Sequence, residues 1–158
     1  MHMPLISCRE EHLETVMTWV TSAEQCYAWA GPDFRYPFTQ QTFAQDLHLS
    51  ERYSYVLLND ASEVVAFGQC LEKAGRCHLS RLIVAPQCRG VGYGQWLTKE
   101  LMRLGRQALN ASECSLFVLR TNKAALACYL TLGFCETPMP EEGLRFGREV
   151  AFMVCSSG

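Results

Sequence analysis

Residues 82–94 constrain this chain more than any other stretch: Leu82-Ile83-Val84-Ala85-Pro86-Gln87-Cys88-Arg89-Gly90-Val91-Gly92-Tyr93-Gly94. An apolar, β-branched run stops at a proline, a glycine-rich turn comes next, and helical periodicity begins after it. A strand that feeds a helix through such a turn leaves several backbone N–H groups unpaired at the helix start. The helix dipole adds partial positive charge there, so the turn predicts a phosphate cradle. Glycine suits a cradle because a Cβ would block close approach of the backbone. The spacing is G-x-G-x-G, not the G-x-G-x-x-G of dinucleotide sites, and Gly94 is followed by Gln95-Trp96 rather than the Lys-Ser/Thr of a P-loop. On the turn alone, a helix start with no ligand is the competing reading.

Around this stretch the hydrophobic period switches between strand and helix. Residues 4–8 read as a first strand, and Leu13, Val16, Met17 and Val20 recur at helical spacing. Residues 24–38 are aromatic and irregular, with Gly31-Pro32 as a break. A second helix starts near Thr39, with Phe38 and Phe43 spaced as a hydrophobic staple. Residues 53–58, 64–72 and 77–84 read as three strands. A long helix begins near Gly90, with Leu97, Leu101, Leu104 and Ala108 on its apolar face and Gly105 as a weak point. Residues 114–120 form a strand, 122–132 a last helix, and 134–137 and 148–155 the closing strands, joined by a loop over 138–147.

Bulk properties narrow the function classes. A chain of 158 residues suits a single domain, taken as 1–158. A net charge of -2 supplies no basic field for nucleic acid. No apolar run approaches the roughly 18 residues of a membrane span, and no export signal is visible, so the expectation is a cytoplasmic protein. The nine cysteines include no C-x-x-C pair and mostly sit in apolar runs. They are read as reduced thiols acting as small hydrophobes, with no metal site.

Two motifs carry a resemblance. Gln87-Cys88-Arg89-Gly90-Val91-Gly92 is similar to the Q/R-x-x-G-x-G/A signature of the GNAT superfamily of N-acetyltransferases. The run from Asn122 through Ala125, Tyr129 and Gly133-Phe134 resembles that family's N-x-x-A-x-x-x-Y-x-x-x-G-F segment. The resemblance implies an α/β (α+β) fold, a mixed and mainly antiparallel sheet of about seven strands flanked by about four helices. It also implies central parallel strands, 77–84 and 114–120, that splay to admit a pantetheine arm. The implied activity is transfer of acetyl from acetyl-CoA, as acyl-donor co-substrate, to a primary amine by direct attack in a ternary complex. The acceptor is a small-molecule amine or a protein or peptide amine, and the assembly a monomer or homodimer. A non-catalytic acyl-CoA sensor with the same fold is the rival class.

The resemblance distributes roles along the chain. Leu82, Ile83 and Val84 would lie against the pantetheine arm, with the Leu82 N–H as donor to the thioester oxygen. Arg89, Gly90, Val91, Gly92, Tyr93 and Gly94 would hold the pyrophosphate. Asn122 is either a helix cap or a contact to the arm, or both. Tyr129 lies two helical turns on, so both can face one side. Its implied role is general acid to the leaving thiolate, and its alternative a core tyrosine. Several family members place a glutamate base on the strand of Leu82, and this chain has His78 at that place. Strand alternation puts His78, Ser80, Leu82 and Val84 on one face. His78 is either that base or structural. Trp29, Phe34 and Tyr36 wall an acceptor pocket or cover a core.

Overall fold

The computed structural model describes residues 3–156. Its strands are β1 (Leu5–Ser7), β2 (Tyr53–Leu58), β3 (Val64–Lys73), β4 (Arg76–Val84), β5 (Cys114–Leu119), β6 (Cys135–Thr137) and β7 (Val150–Cys155). They form one sheet in the order β1-β2-β3-β4-β5-β7-β6. Every neighbouring pair is antiparallel except β4–β5. Helices α1 (Glu10–Met17), α2 (Ala23–Ala30) and α3 (Gln40–Leu47) precede β2, while α4 (Tyr93–Leu109) and α5 (Lys123–Thr131) flank β5 in sequence. Among the described residues no helix is long and apolar enough to cross a membrane.

The expected architecture stands, with one helix more than anticipated. Residues 24–38 are not irregular throughout, because α2 occupies their first half. Ser22 caps it, its hydroxyl accepting from the Gln25 N–H at 3.1 Å, and Gly31 ends it at φ 80°. Helix α3 starts where the staple places it: Thr39 and Thr42 cap each other reciprocally, and the Phe38 and Phe43 rings lie 4.7 Å apart.

The two sheet faces carry separate cores. Helices α1 to α3 cover one, with Val16, Phe43, Leu47 and Phe67 completely buried. Each such side chain contributes about 1.5–3 kcal/mol by leaving water. Helix α4 covers the other, over Cys70, Cys77, Leu79, Leu116 and Met153. The buried face of α4 is Leu97, Thr98, Leu101, Met102 and Gly105, so it is rotated from the expected one; Leu104 is only half-buried and Ala108 is exposed. Gly105 is a point of close approach rather than a weak spot. A Cβ there would collide with the Cys77 sulfur and press on that of Cys70.

Two features of β4 position the cavities on either side of it. Its pairing with β5 consists of two rungs, Cys77↔Cys114 and His78↔Ser115. Beyond them β4 runs on to Val84 and β5 to Leu119 with no further rung, which is the expected splay. The register on the other side pairs Gln69 with Ser80 but Phe67 with Ile83, so Gly68 alone faces Arg81 and Leu82. This is a bulge, with Arg81 at φ 55°. It corrects the alternation argument. Leu82 packs on the α4 side with Cys77 and Leu79, and Val84 packs there too. His78 therefore faces the opposite way from Leu82 and Val84.

Candidate active site

A groove of about 770 Å³ runs between the end of β4, the start of α4 and the exposed side of α5. Leu82, Ile83 and Val84 form one wall, and Asn122 and Tyr129 the opposite one. Arg89, Gly90, Gly92, Tyr93 and Gly94 close one end. Val91, expected with them, points away and is 70% exposed.

The turn has the backbone that its sequence requires. Pro86–Cys88 make one turn of 3₁₀ helix, and α4 begins at Tyr93, three residues later than expected. The delay has a plain cause: Gly90 and Gly92 sit at φ 82° and 99°, outside the helical region. A Cβ at either position would meet nothing within 4 Å, so open space lies over the turn. The first-turn N–H groups of α4 have no intrahelical acceptor. The Arg89 side chain folds back, Nε donating to the Val84 carbonyl at 3.1 Å, which ties the turn to the strand.

On α5, Asn122 is a helix cap, its Oδ1 accepting from the Ala125 N–H at 3.2 Å. Asn122 also lines the groove, and among the described residues its amide nitrogen has no hydrogen-bond partner. Tyr129 packs edge-on against Phe134 at 5.8 Å. Among the described residues its hydroxyl has no hydrogen-bond partner. Burial, then the neighbouring Cys128, pushes its pKa well above that of an ordinary tyrosine, so the hydroxyl stays protonated.

A second, smaller pocket of about 190 Å³ opens on the other side of β4. Ala28 and Trp29 line both cavities, so the two meet at the end of α2. The Trp29 indole N–H donates to the Arg81 carbonyl at 2.8 Å, and its ring stacks on Phe43. The bulge thus presents an acceptor that fixes this tryptophan at the junction. His78 lies in the second pocket, buried, with Nδ1 2.9 Å from the Ser115 hydroxyl and its ring against Phe117. Burial and the nearby charges of Lys73 and Arg52 lower its pKa to about 3. The imidazole is therefore neutral at any working pH.

Phe34 and Tyr36, expected as acceptor walls, line neither cavity. Phe34 is buried in the α1–α3 core against Phe43, and Tyr36 packs edge-on against Phe38, because the turn after α2 folds these rings toward that core. Arg52, Lys73, Arg81 and Arg145 do line the second pocket, and none was expected there. They come from different strands and loops, and in sequence each reads as an ordinary solvated charge.

Known proteins share both the sequence pattern and the fold. The sequence model described as the acetyltransferase (GNAT) family matches residues 23–134. Similar solved structures include the PaiA N-acetyltransferase from Thermoplasma acidophilum in complex with coenzyme A. It is 18% identical, with 99% of each chain covered and a TM-score of 0.73. Spermidine N-acetyltransferase from Vibrio cholerae in complex with CoA and spermine is 17% identical, covering 96% of this chain and 94% of that one at a TM-score of 0.73. At such identity the likeness is one of fold.

Proposed function

The chain belongs to the acetyltransferase (GNAT) family, whose acyl donor is acetyl-CoA, and from that premise we propose that it transfers acetyl to a primary amine held in the second pocket, by direct attack in a ternary complex. The observation that supports this most is the meeting of two unlike cavities at Trp29 across a bulged strand. One is larger and ends in a glycine cradle; the other is small and lined by charged and aromatic side chains.

In this reading the N–H groups around Gly90, Gly92 and Gly94 hold the pyrophosphate, and Asn122 and the edge of β4 hold the arm. The donor supplies an activated thioester carbonyl. The amine nitrogen bonds to that carbon, the carbon–sulfur bond breaks, and the amine's spare proton leaves to water. The Leu82 N–H, beside the bulge, is the candidate donor to the developing oxyanion; one such preorganised donor is worth about 10²- to 10³-fold in rate. Tyr129, protonated and with no hydrogen-bond partner for its hydroxyl among the described residues, gives its proton to the leaving thiolate. His78 is too weak a base to carry the amine's proton for long, since its pKa is held near 3. Its role is to accept a hydrogen bond from the amine through Nε2, with Nδ1 engaged by Ser115.

The test is direct. Acetyl-CoA should bind with measurable heat, and Gly92→Val should weaken that binding by at least tenfold, because valine resists the positive φ and fills the space over the cradle. Release of free CoA with a panel of amines should then report turnover. Unchanged affinity in the variant would refute the cradle. Binding without turnover of any amine would favour the sensor reading.

A further inference from the structure

The second pocket carries more positive charge than its own lining balances. Four cationic side chains line it, Arg52, Lys73, Arg81 and Arg145, against one carboxylate, Asp33. Asp33 is already taken by Arg145 in a two-pronged ion pair. Arg81 is fixed by neutral groups, donating to the Asp46 carbonyl at 2.7 Å and lying over the Phe34 ring. Lys73 meets Glu142 only at 3.9 Å. Arg52 donates to the Ser80 hydroxyl at 3.1 Å and, among the described residues, makes no ion pair. Both Arg52 and Lys73 sit close enough to His78 to depress its pKa. A half-buried cation with no counter-charge is unfavourable until an anion arrives.

Resting on the acetyl-transfer reading, we propose that the acceptor is a small amine that also bears a carboxylate, chemically an amino acid, whose carboxylate is held by Arg52 and Lys73. The guanidinium fork matches a carboxylate in geometry, and the ammonium adds charge. The size agrees: about 190 Å³ lies below the roughly 300–1,000 Å³ of common ligand sites. The field also does chemical work. After one carboxylate has bound, the lining is still net positive, and a nearby positive charge disfavours an ammonium. The acceptor nitrogen is thereby pushed toward its neutral, nucleophilic form without a glutamate on β4. The same field repels a polyamine, which would bring several ammonium groups into it.

The full-length protein with acetyl-CoA should be assayed for CoA release with free amino acids, the corresponding amino acid amides, and spermidine. At least one free amino acid should exceed its amide in kcat/KM by about tenfold or more, with spermidine poorer still. Arg52→Gln and Lys73→Gln should each raise KM for that amino acid by about 10- to 100-fold, the worth of a hydrogen bond to a charged group. Affinity for acetyl-CoA should stay in place, which also shows that the variants fold, and KM for the amide, which has no carboxylate to lose, should not rise. Preference for spermidine or the amide, or an unmoved KM in both variants, overturns the carboxylate assignment and leaves acetyl transfer standing. Binding of acetyl-CoA with turnover of no amine at all takes down both.

Discussion

Tyr129 and His78 stand on opposite sides of β4, and burial acts on them in opposite senses. Desolvation keeps the phenol protonated and the imidazole bare. Tyr129→Phe should lower kcat by about 10²- to 10⁴-fold, the usual contribution of a positioned acid. Acetyl-CoA affinity by calorimetry should barely change, since the ring and its contact with Phe134 persist; full turnover would remove the proposed acid. For His78 the prediction concerns pH. Its proton is bound readily by the unfolded chain below about pH 6.5 and by the folded one only near pH 3. Stability from this residue is thus complete above pH 6.5 and is lost as pH falls toward 3. Urea unfolding between pH 7 and 4 should show a shallower acid loss in His78→Gln than in the parent protein, and equal slopes would contradict the burial argument. An acid limb of activity near neutrality would then report the acceptor's own ammonium, not His78.

At the level of elements, α4 rests on the sheet through the absence of one side chain. Glycine inside a helix costs up to about 1 kcal/mol against alanine, so Gly105→Ala would stabilise an isolated α4. Here the added methyl meets the Cys77 sulfur, and overpacking should win, destabilising the protein by about 1–3 kcal/mol. Adding Cys77→Ala should recover part of that loss, and the urea midpoints of the single and double variants measure the coupling. This contact was invisible in the sequence, where Gly105 and Cys77 lie on separate elements. The glycine turn was legible because Gly90 and Gly92 must both take a positive φ, which few other residues accept. Helix α2 has a start signal, Ser22 and Gln25 at capping-box spacing, but only Cys26 of that helix is buried, so its apolar period is faint. The bulge at Arg81 had no signal at all, and one extra residue was enough to turn His78 and Leu82 to different faces. The cations of the second pocket were equally silent, since only folding brings Arg52 and Lys73 beside His78.

For the whole molecule, the sheet is two half-sheets, β1–β4 and β5–β7, stitched by the rungs at Cys77↔Cys114 and His78↔Ser115. The closed end of that seam is buried and the open end is lined by both cavities. A joint fastened at one end behaves as a hinge, and its stiffness depends on what is lodged in its mouth. The donor would then act as a keystone. Deuterium uptake should slow on acetyl-CoA binding along residues 82–84 and 116–119 and at the start of α5, while β1, at the far edge, keeps its rate. Uniform slowing across all seven strands would mean that the halves move as one block. If the keystone holds, an enzyme emptied of its donor is also the one most easily pried apart, and the concentration of acetyl-CoA around it sets how long each copy lasts.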